Sequence, residues 1–185
     1  MEIALFGGSF DPPQVGHLLA ATYVLATEPV GELWLVPVNE HPFGKKLAAP
    51  FEHRFELCQA MIADAGLRRA SVSRIEAELG GEVRTVDLLE HLRRAHPEHS
   101  FALVVGSDLA AERSQWKRFD RILELARLIE LRRGGFDGGA GALLPEVSST
   151  QVRALLASGG DASRLVPREV LRRIRAAGTY VASQP

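Results

Sequence analysis

The sequence has one cysteine, no excess of charge of either sign and no long apolar run, and each shortage excludes a class of protein. The single cysteine, Cys58, excludes an internal disulfide framework and a multi-cysteine zinc site, and it fits a reducing compartment. Lys and Arg number 22 against 23 Asp and Glu, so no overall field favours nucleic acid or an anionic membrane as a partner. Nowhere do about 18 apolar residues run together, and the opening MEIALFGGSF has no basic segment. We therefore expect a cytoplasmic protein in which any phosphate-binding site is local.

The length of the chain and its hydrophobic content are those of one compact domain. It has 185 residues, of which 46% are hydrophobic, and a fold of that size buries roughly 70% of its unfolded surface. At about 150 residues per domain, we expect a single domain over 1–185, with a small helical part from about 148 to 185.

Short β-rich runs alternate with longer runs of helical period, which is typical of an α/β fold with a mainly parallel sheet. The candidate strands are 3–6, 33–38, 71–76, 101–106 and 128–132. Phe51, Phe55 and Cys58 share one face of a predicted helix that Gly66 ends, so Cys58 is predicted to be a core residue. Further helices are predicted over 88–95, 122–126 and from Pro167 to 177, and the five glycines in 134–141 predict a loop.

The segment IALFGGSFDPPQVGH (3–17) is the most informative in the chain. An apolar strand runs into Gly7 and Gly8, then a turn with two prolines, then a helix beginning near Val15. A helix N-terminus at the end of a strand attracts phosphate, although neither GxGxxG nor GxxxxGKS/T is present. On spacing alone, Gly7 and Gly8 fit a plain tight turn equally well, and His17 fits a structural histidine.

Four ordered motifs carry a resemblance that spans almost the whole chain. GGSFDPPQVGH resembles the signature GG-[ST]-FDPxHxGH of the bacterial nicotinate mononucleotide adenylyltransferases, which belong to the HxGH-motif nucleotidyltransferase superfamily. TVDLLEHL (85–92), VGSDLAAERSQWKRF (105–119) and VSSTQVR (147–153) resemble later motifs of that family, and 165–181 resembles its C-terminal helix. The resemblance implies a Rossmann-like, mostly parallel sheet with helices on both faces. It also implies transfer of the adenylyl group of ATP to nicotinate mononucleotide, with release of pyrophosphate.

The resemblance assigns roles residue by residue. The predicted catalytic residues are His17, Gln14 and Arg153. The predicted ATP-binding residues are Gly7, Gly8, Ser9, Phe10, Gly106, Asp108, Ser148, Ser149 and Thr150. The predicted mononucleotide-binding residues are Lys45, Lys46, Thr85, Trp116, Arg132 and Arg133, and which of the two lysines contacts phosphate stays open. Magnesium is implied as the partner of ATP, without a dedicated protein metal site.

Simpler structural roles exist for several of these residues. Ser148 to Thr150 are good N-cap types, Asp108 would cap a following helix, and Trp116 alone would be a packing residue. The two histidines of HPEH (96–99) lack a third ligand and are poor grounds for zinc.

Gln14 departs from the family pattern, because it stands where the signature has its first histidine and offers neutral amide donors only. Two alternatives to the nicotinate enzyme therefore stay open: a non-catalytic nucleotide-binding or sensor protein, and an adenylyltransferase for another phosphate substrate. The choice between nicotinate and nicotinamide mononucleotide, and self-association into a homo-oligomer, are also left open by the sequence.

Overall fold

The computed structural model describes residues 1–40, 44, 46–106, 116–133 and 143–181, with side chains for all of these except Arg133 and Leu143. The strands in this part of the chain are β1 (Glu2–Gly8), β2 (Glu32–Pro37), β3 (Ala70–Val72), β4 (Ser100–Gly106), β5 (Ala126–Arg133) and β6 (Leu143–Leu144). The helices are α1 (Val15–Thr27), α2 (Phe51–Asp64), α3 (Ile75–Leu79), α4 (Thr85–Ala95), α5 (Phe119–Leu125), α6 (Ser149–Ala157) and α7 (Arg168–Ala177).

The strands form one sheet in the order β3-β2-β1-β4-β5-β6, and every neighbouring pair is parallel. From β1 the chain adds β2 and β3 toward one edge of the sheet. It then crosses back and adds β4 on the other side of β1. In open parallel sheets, ligands bind at such a switch point, beyond the carboxyl ends of the strands. The predicted α/β, Rossmann-like fold is confirmed.

Alternation along the strands divides the core into two layers, one on each face of the sheet. Ala4 and Phe6 of β1 pack in the layer that contains buried residues of α1, α2, α6 and α7. Ile3 and Leu5 point the other way, into the layer with buried residues of α3, α4 and α5. Helices therefore cover both faces, as predicted.

Most predicted elements are present, and three of them differ in their bounds. The helix α2 carries Cys58 fully buried, and Gly66 follows its end with a φ of +65°. The predicted strand over 71–76 is only the short β3, because Ser73 Oγ accepts the N–H of Ile75 at 3.2 Å and the chain turns there into α3. Ala126 begins β5 instead of ending a helix, and Pro167 is the N-cap of α7 instead of a first-turn residue. The predicted loop over 134–141 lies outside the described residues.

No helix in the described part of the chain combines the length and the apolar character needed to cross a membrane.

Candidate active site

A crevice opens at the switch point because β1 and β4 separate before either strand ends. Their pairing stops at Leu5 opposite Leu103, whereas β1 continues beside β2 to Gly8 and β4 continues beside β5 to Gly106. The N-terminus of α1 and the segment before α6 close the crevice. Its lining includes Phe6, Gln14, Gly16, Gly106, Leu131 and Val147.

Gln14 is the N-cap of α1 and is 2% exposed. Its Oε1 accepts the N–H of Gly16, and its Nε2 donates to the carbonyl oxygen of Val147 at 2.8 Å. A Cβ at Gly16 would lie 2.8 Å from Oε1, so this cap requires glycine there. The N–H of Val15 donates to Leu165 O at 2.9 Å. The N–H groups of Val15 and Gly16, in the first turn of α1, are therefore paired within the protein, although a helix N-terminus was predicted to bind phosphate here. The amide of Gln14 joins the first motif to the start of the SSTQVR motif.

His17 is oriented by the same cap. Its Nδ1 accepts the backbone N–H of Gln14 at 3.1 Å, and its half-buried ring packs edge-on against Phe10 and Phe6, with centroids 4.8 and 6.0 Å away. Because Nδ1 accepts, the proton of a neutral ring resides on Nε2. The fold therefore sets both the tautomer and the tilt of His17.

The loop between β1 and α1 is held by a buried carboxylate that the sequence did not single out. Asp11 is 2% exposed and follows Phe10, whose φ is +45°. Its carboxylate accepts the N–H groups of Ala48 at 2.7 Å and Ala49 at 3.1 Å, and the hydroxyl of Tyr180 at 2.8 Å. Burial and the nearby carboxylate raise the pKa of the Tyr180 hydroxyl, which stays a donor. Asp11 thus joins the loop after β1, the segment before α2 and the C-terminal segment.

Arg54 of α2 reinforces the same junction from inside the core. Its guanidinium is fully buried and donates to the carbonyl oxygens of Ser9 at 2.7 Å, Val38 at 2.7 Å and Ala49 at 3.1 Å. Burial lowers its pKa and the Asp11 carboxylate opposes that effect, and an arginine so placed keeps its charge. One cation therefore fixes the backbone beyond β1, beyond β2 and before α2.

Glu76 of α3 is a second buried carboxyl beside this junction. It is 7% exposed, and its Oε2 accepts the N–H of Asn39, two residues after β2, at 3.1 Å. Burial raises the pKa of Glu76 to about 7, while the Asn39 hydrogen bond and the charge of Arg54 act in the opposite direction. Its charge therefore changes within the neutral range.

The serines of SSTQVR build the N-terminus of α6. Ser148 is the N-cap, and its Oγ accepts the N–H of Gln151 at 3.1 Å, so the predicted cap is confirmed. The hydroxyl of Ser149 donates to Pro12 O at 2.9 Å, which fixes this N-terminus against the first loop.

Arg153 lies one turn further along α6 and contacts the same loop. Its Nη1 donates to the backbone oxygen of Asp11 at 2.6 Å and lies 3.8 Å from Oδ2 of that residue. Its Nη2 donates to Thr150 Oγ1 at 3.2 Å. The arginine predicted to contact phosphate thus also positions the loop that begins the site.

Two of the predicted mononucleotide residues, Thr85 and Trp116, lie on the sheet face that carries α4. Thr85 is the first residue of α4, and Lys117 Nζ lies 3.6 Å from Oδ2 of Asp87, which brings the segment beginning at Trp116 beside that helix. The half-buried Trp116 ring packs edge-on against Phe119 at 6.3 Å.

Arg132 and Lys46, two of the predicted mononucleotide-binding cations, differ in burial. Arg132 is half-buried near the end of β5, and its Nε is buried with no hydrogen-bond partner among the described residues. Lys46 is exposed in the segment before α2.

The remaining predicted residues lie near the ends of β1 and β4 or outside the described part. Gly7 and Gly8 end β1, and a Cβ at Gly8 would lie 3.2 Å from the ring of Phe10, which keeps that backbone close to the aromatic side chain. Lys45, Asp108 and the side chain of Arg133 lie outside the described residues.

Three residues of the junction were missed: Asp11, Arg54 and Tyr180. A signal existed for Arg54, which lies three residues after Phe51 and four before Cys58, on the predicted apolar face of α2. Asp11 stands inside the quoted signature without an assigned role. The Tyr180 contact spans 169 positions and has no local signal.

Comparison with known proteins gives consistent relatives. A protein of Anaeromyxobacter dehalogenans (strain 2CP-C) named "Probable nicotinate-nucleotide adenylyltransferase" is 51% identical over 183 residues, 97% of this chain and 96% of that protein. A protein of Myxococcus xanthus (strain DK1622) with the same name is 46% identical over 182 residues, 97% of this chain and 95% of that protein. Plasmodium falciparum nicotinic acid mononucleotide adenylyltransferase complexed with NaAD has a TM-score of 0.82 at 21% identity, covers 97% of each chain and shows the fold.

Fold and crevice define an α/β protein with a Rossmann-like parallel sheet and a crevice at its switch point. The cytidylyltransferase-like family model matches residues 5–155. The chain belongs to the cytidylyltransferase-like family.

Proposed function

We propose that this chain transfers the adenylyl group of ATP to nicotinate mononucleotide, forming nicotinate adenine dinucleotide and pyrophosphate. The observation that carries the proposal is the crevice between β1 and β4, where Gln14 and Gly16 of the first motif meet Val147 of the last, in a chain whose relatives carry this enzyme's name. It is an enzyme of NAD biosynthesis.

The reaction is an in-line displacement at the α-phosphorus of ATP. The 5′-phosphate oxygen of the mononucleotide forms the new P–O bond, and the bond to the pyrophosphate oxygen breaks. The attacking phosphate is already ionised, so the reaction needs no general base, and catalysis consists of positioning and charge stabilisation. This requirement agrees with a site built from caps, glycines and cations.

The crevice suits the adenosine end of ATP. Gly7 and Gly8 end β1, Phe10 lies in the loop that follows, and Gly106 ends β4 across the crevice. These four residues, with Ser9 and Asp108, are assigned to the ATP site. Ser148, Ser149 and Thr150 form the cap and first turn of α6, whose dipole favours the β- and γ-phosphates. Arg153 adds a cation there while it holds Asp11 O.

His17 is proposed to donate from Nε2 to the phosphates at the reacting centre. The cap bond from Gln14 to Nδ1 supports this role, since it puts the ring proton on the other nitrogen. The backbone N–H of Gln14 makes that bond, and its side-chain amide bonds to Gly16 N–H and Val147 O, so Gln14 is proposed as a positioning residue.

Arg132 is the favoured phosphate ligand on the mononucleotide side. A buried guanidinium nitrogen without a partner is costly unless a ligand completes it, and a mononucleotide phosphate is such a ligand. Trp116 offers a face for the pyridine ring, and Thr85 begins the helix beside it. Lys46, with Lys45 and Arg133, is assigned to the same phosphate.

Magnesium is proposed to arrive with ATP and to neutralise charge on the triphosphate. The carboxylate of Asp11 fits a loop-holding role and not a metal ligand, because three hydrogen bonds already converge on it. Within the described residues, the group of three side chains close enough to share a metal lies at 96–99, outside the crevice lining.

We also propose a cytoplasmic location, which the buried, unpaired Cys58 supports. ATP and the pyridine mononucleotide are the proposed partners.

The test is purified protein with magnesium-ATP and either nicotinate or nicotinamide mononucleotide, following pyrophosphate release. Release with the nicotinate compound supports the proposal, and release with the nicotinamide compound alone would reassign the substrate. Binding of ATP without release for either would instead favour the non-catalytic nucleotide-binding protein.

A further inference from the structure

The turn between α4 and β4 gathers three metal-ligating side chains, His96, Glu98 and His99. This turn precedes Ser100, the first residue of β4, whereas the crevice lies at the other end of that strand, at Gly106. The cluster is therefore separate from the proposed active site, and nothing argued for adenylyl transfer uses it.

The spacing of the three ligand atoms is close to that of a tetrahedral metal site. Glu98 Oε1 lies 3.3 Å from His99 Nε2 and 3.8 Å from His96 Nδ1, and all three ligand atoms lie within 4.8 Å of one another. Metal–ligand bonds of about 2.0–2.1 Å at tetrahedral angles place neighbouring ligand atoms roughly 3.3–3.4 Å apart. One separation already has that value, and a second exceeds it by a few tenths of an ångström. Glu98 lies between the two histidines in sequence and is the third ligand.

Backbone hydrogen bonds close the turn that carries the two imidazoles. The N–H of His96 donates to Leu92 O at 2.8 Å, and the N–H of His99 donates to His96 O at 3.1 Å, which closes the turn. The rings lie nearly parallel, 14° apart with centroids separated by 5.9 Å, and Trp34 packs edge-on against His96 at 5.8 Å.

We propose that His96, Glu98 and His99 bind one transition-metal dication of the zinc class, with water completing the coordination. Two imidazoles and one carboxylate suit zinc, whereas magnesium prefers an all-oxygen octahedral set and keeps its water. The site thus selects a different ion from the one that accompanies ATP.

Two features set its affinity below that of a structural zinc site. The Nδ1 of His99 is buried with no hydrogen-bond partner in the described part of the chain, so no outer contact fixes that ring. The guanidinium of Arg93 donates to His99 O at 2.8 Å and adds positive charge nearby. Structural zinc sites have four ligands and bind far more tightly, so a three-ligand site is expected to bind with a Kd on the order of micromolar.

The test is calorimetric titration of the chelator-treated full chain with Zn²⁺, with excess Mg²⁺ present throughout. We expect about one zinc per chain, with His96→Ala, Glu98→Ala and His99→Ala each weakening binding at least tenfold. His91→Ala, on α4 and outside the cluster, is the matched control and should leave the affinity unchanged. Titration with Co²⁺ should give the intense visible absorption of a tetrahedral ion, and His99→Ala should remove it.

Absence of micromolar zinc binding, or binding that His96→Ala and His99→Ala leave intact, would overturn the proposal. The three histidines are half-buried and Glu98 is exposed, so the melting temperatures of the variants without metal check that they fold. Because binding is measured without ATP, the result is independent of whether the chain proves to be an adenylyltransferase.

Discussion

The hydroxyl of Tyr180 donates a 2.8 Å hydrogen bond to Oδ1 of Asp11, and this contact ties the end of the described chain to the first loop of the site. The same carboxylate accepts the N–H groups of Ala48 and Ala49, which follow the segment that holds Lys46. The C-terminal segment therefore supports the loops proposed for both substrates.

The Tyr180→Phe substitution should lower the free energy of unfolding by about 1–3 kcal/mol, because the buried carboxylate of Asp11 loses one of its donors. It should also raise KM for both ATP and the mononucleotide, since both loops depend on Asp11. Urea unfolding and steady-state kinetics measure the two effects.

The matched control for Tyr180→Phe is Thr179→Val, which removes the 2.9 Å contact between Thr179 Oγ1 and His53 Nε2 without touching Asp11. It loosens the same segment and should leave both KM values near those of the wild type. Equal KM values in the two variants would contradict the positioning role of Tyr180.

His17→Asn separates the proposed phosphate donor from the cap. An asparagine oxygen can occupy the position of Nδ1 and accept the N–H of Gln14, but nothing replaces Nε2. Turnover should fall by about 10²–10³, the usual effect of losing one preorganised donor, while the melting temperature changes little.

The companion variant is His17→Gln, whose longer amide reaches toward the position of Nε2. It should recover part of the activity that His17→Asn loses. If His17→Asn instead unfolds the protein, or keeps full turnover, His17 is a structural residue.

Gln14→His should give a folded protein with activity equal to or above that of the wild type. The gain should be clearest below about pH 6.5, where imidazole protonates and adds a cation near the triphosphate. Gln14→Leu is the control for the cap: it leaves the Gly16 N–H and Val147 O unpaired, at about 1–3 kcal/mol each. Collapse of activity in a well-folded Gln14→His protein would mean that the pocket is shaped around the amide.

Glu76 should make stability fall as pH rises through the neutral range. Burial raises its folded pKa from an ordinary 4.5 to about 7, so between these values the folded protein holds a proton that the unfolded chain has released. The stability lost between pH 5 and 8 is at most about 3 kcal/mol. Glu76→Gln keeps an acceptor for the N–H of Asn39 and removes the titrating carboxyl. In urea unfolding, the free energy of unfolding of the variant should therefore rise relative to that of the wild type as the pH increases over that range. Parallel pH dependence of the two proteins would contradict a raised pKa.

The fold was predictable because its signals are local. Continuous apolar runs gave the long strands, and the helical face of Phe51, Phe55 and Cys58 gave α2. Two elements that were not predicted, α3 and β6, contain too few residues to show a period. Ser73 diverts the chain after β3 through a contact between one side chain and the backbone.

The candidate site was predictable from its motifs but not from periodicity. A helix cap among Ser148, Ser149 and Thr150 was predicted from their residue types, and the structure identifies Ser148 as that cap. The internal bonds of Gln14 and the convergence of Arg54 and Tyr180 on the first loop depend on contacts between distant segments. No window of sequence contains both partners of such contacts, so only the folded chain reveals them.

The most direct test of adenylyl transfer is the product itself. Purified wild-type protein with magnesium-ATP and nicotinate mononucleotide should form nicotinate adenine dinucleotide and pyrophosphate in equal amounts, and His17→Asn should reduce both together. Wild-type protein that folds and binds ATP but forms no dinucleotide would contradict the proposed function.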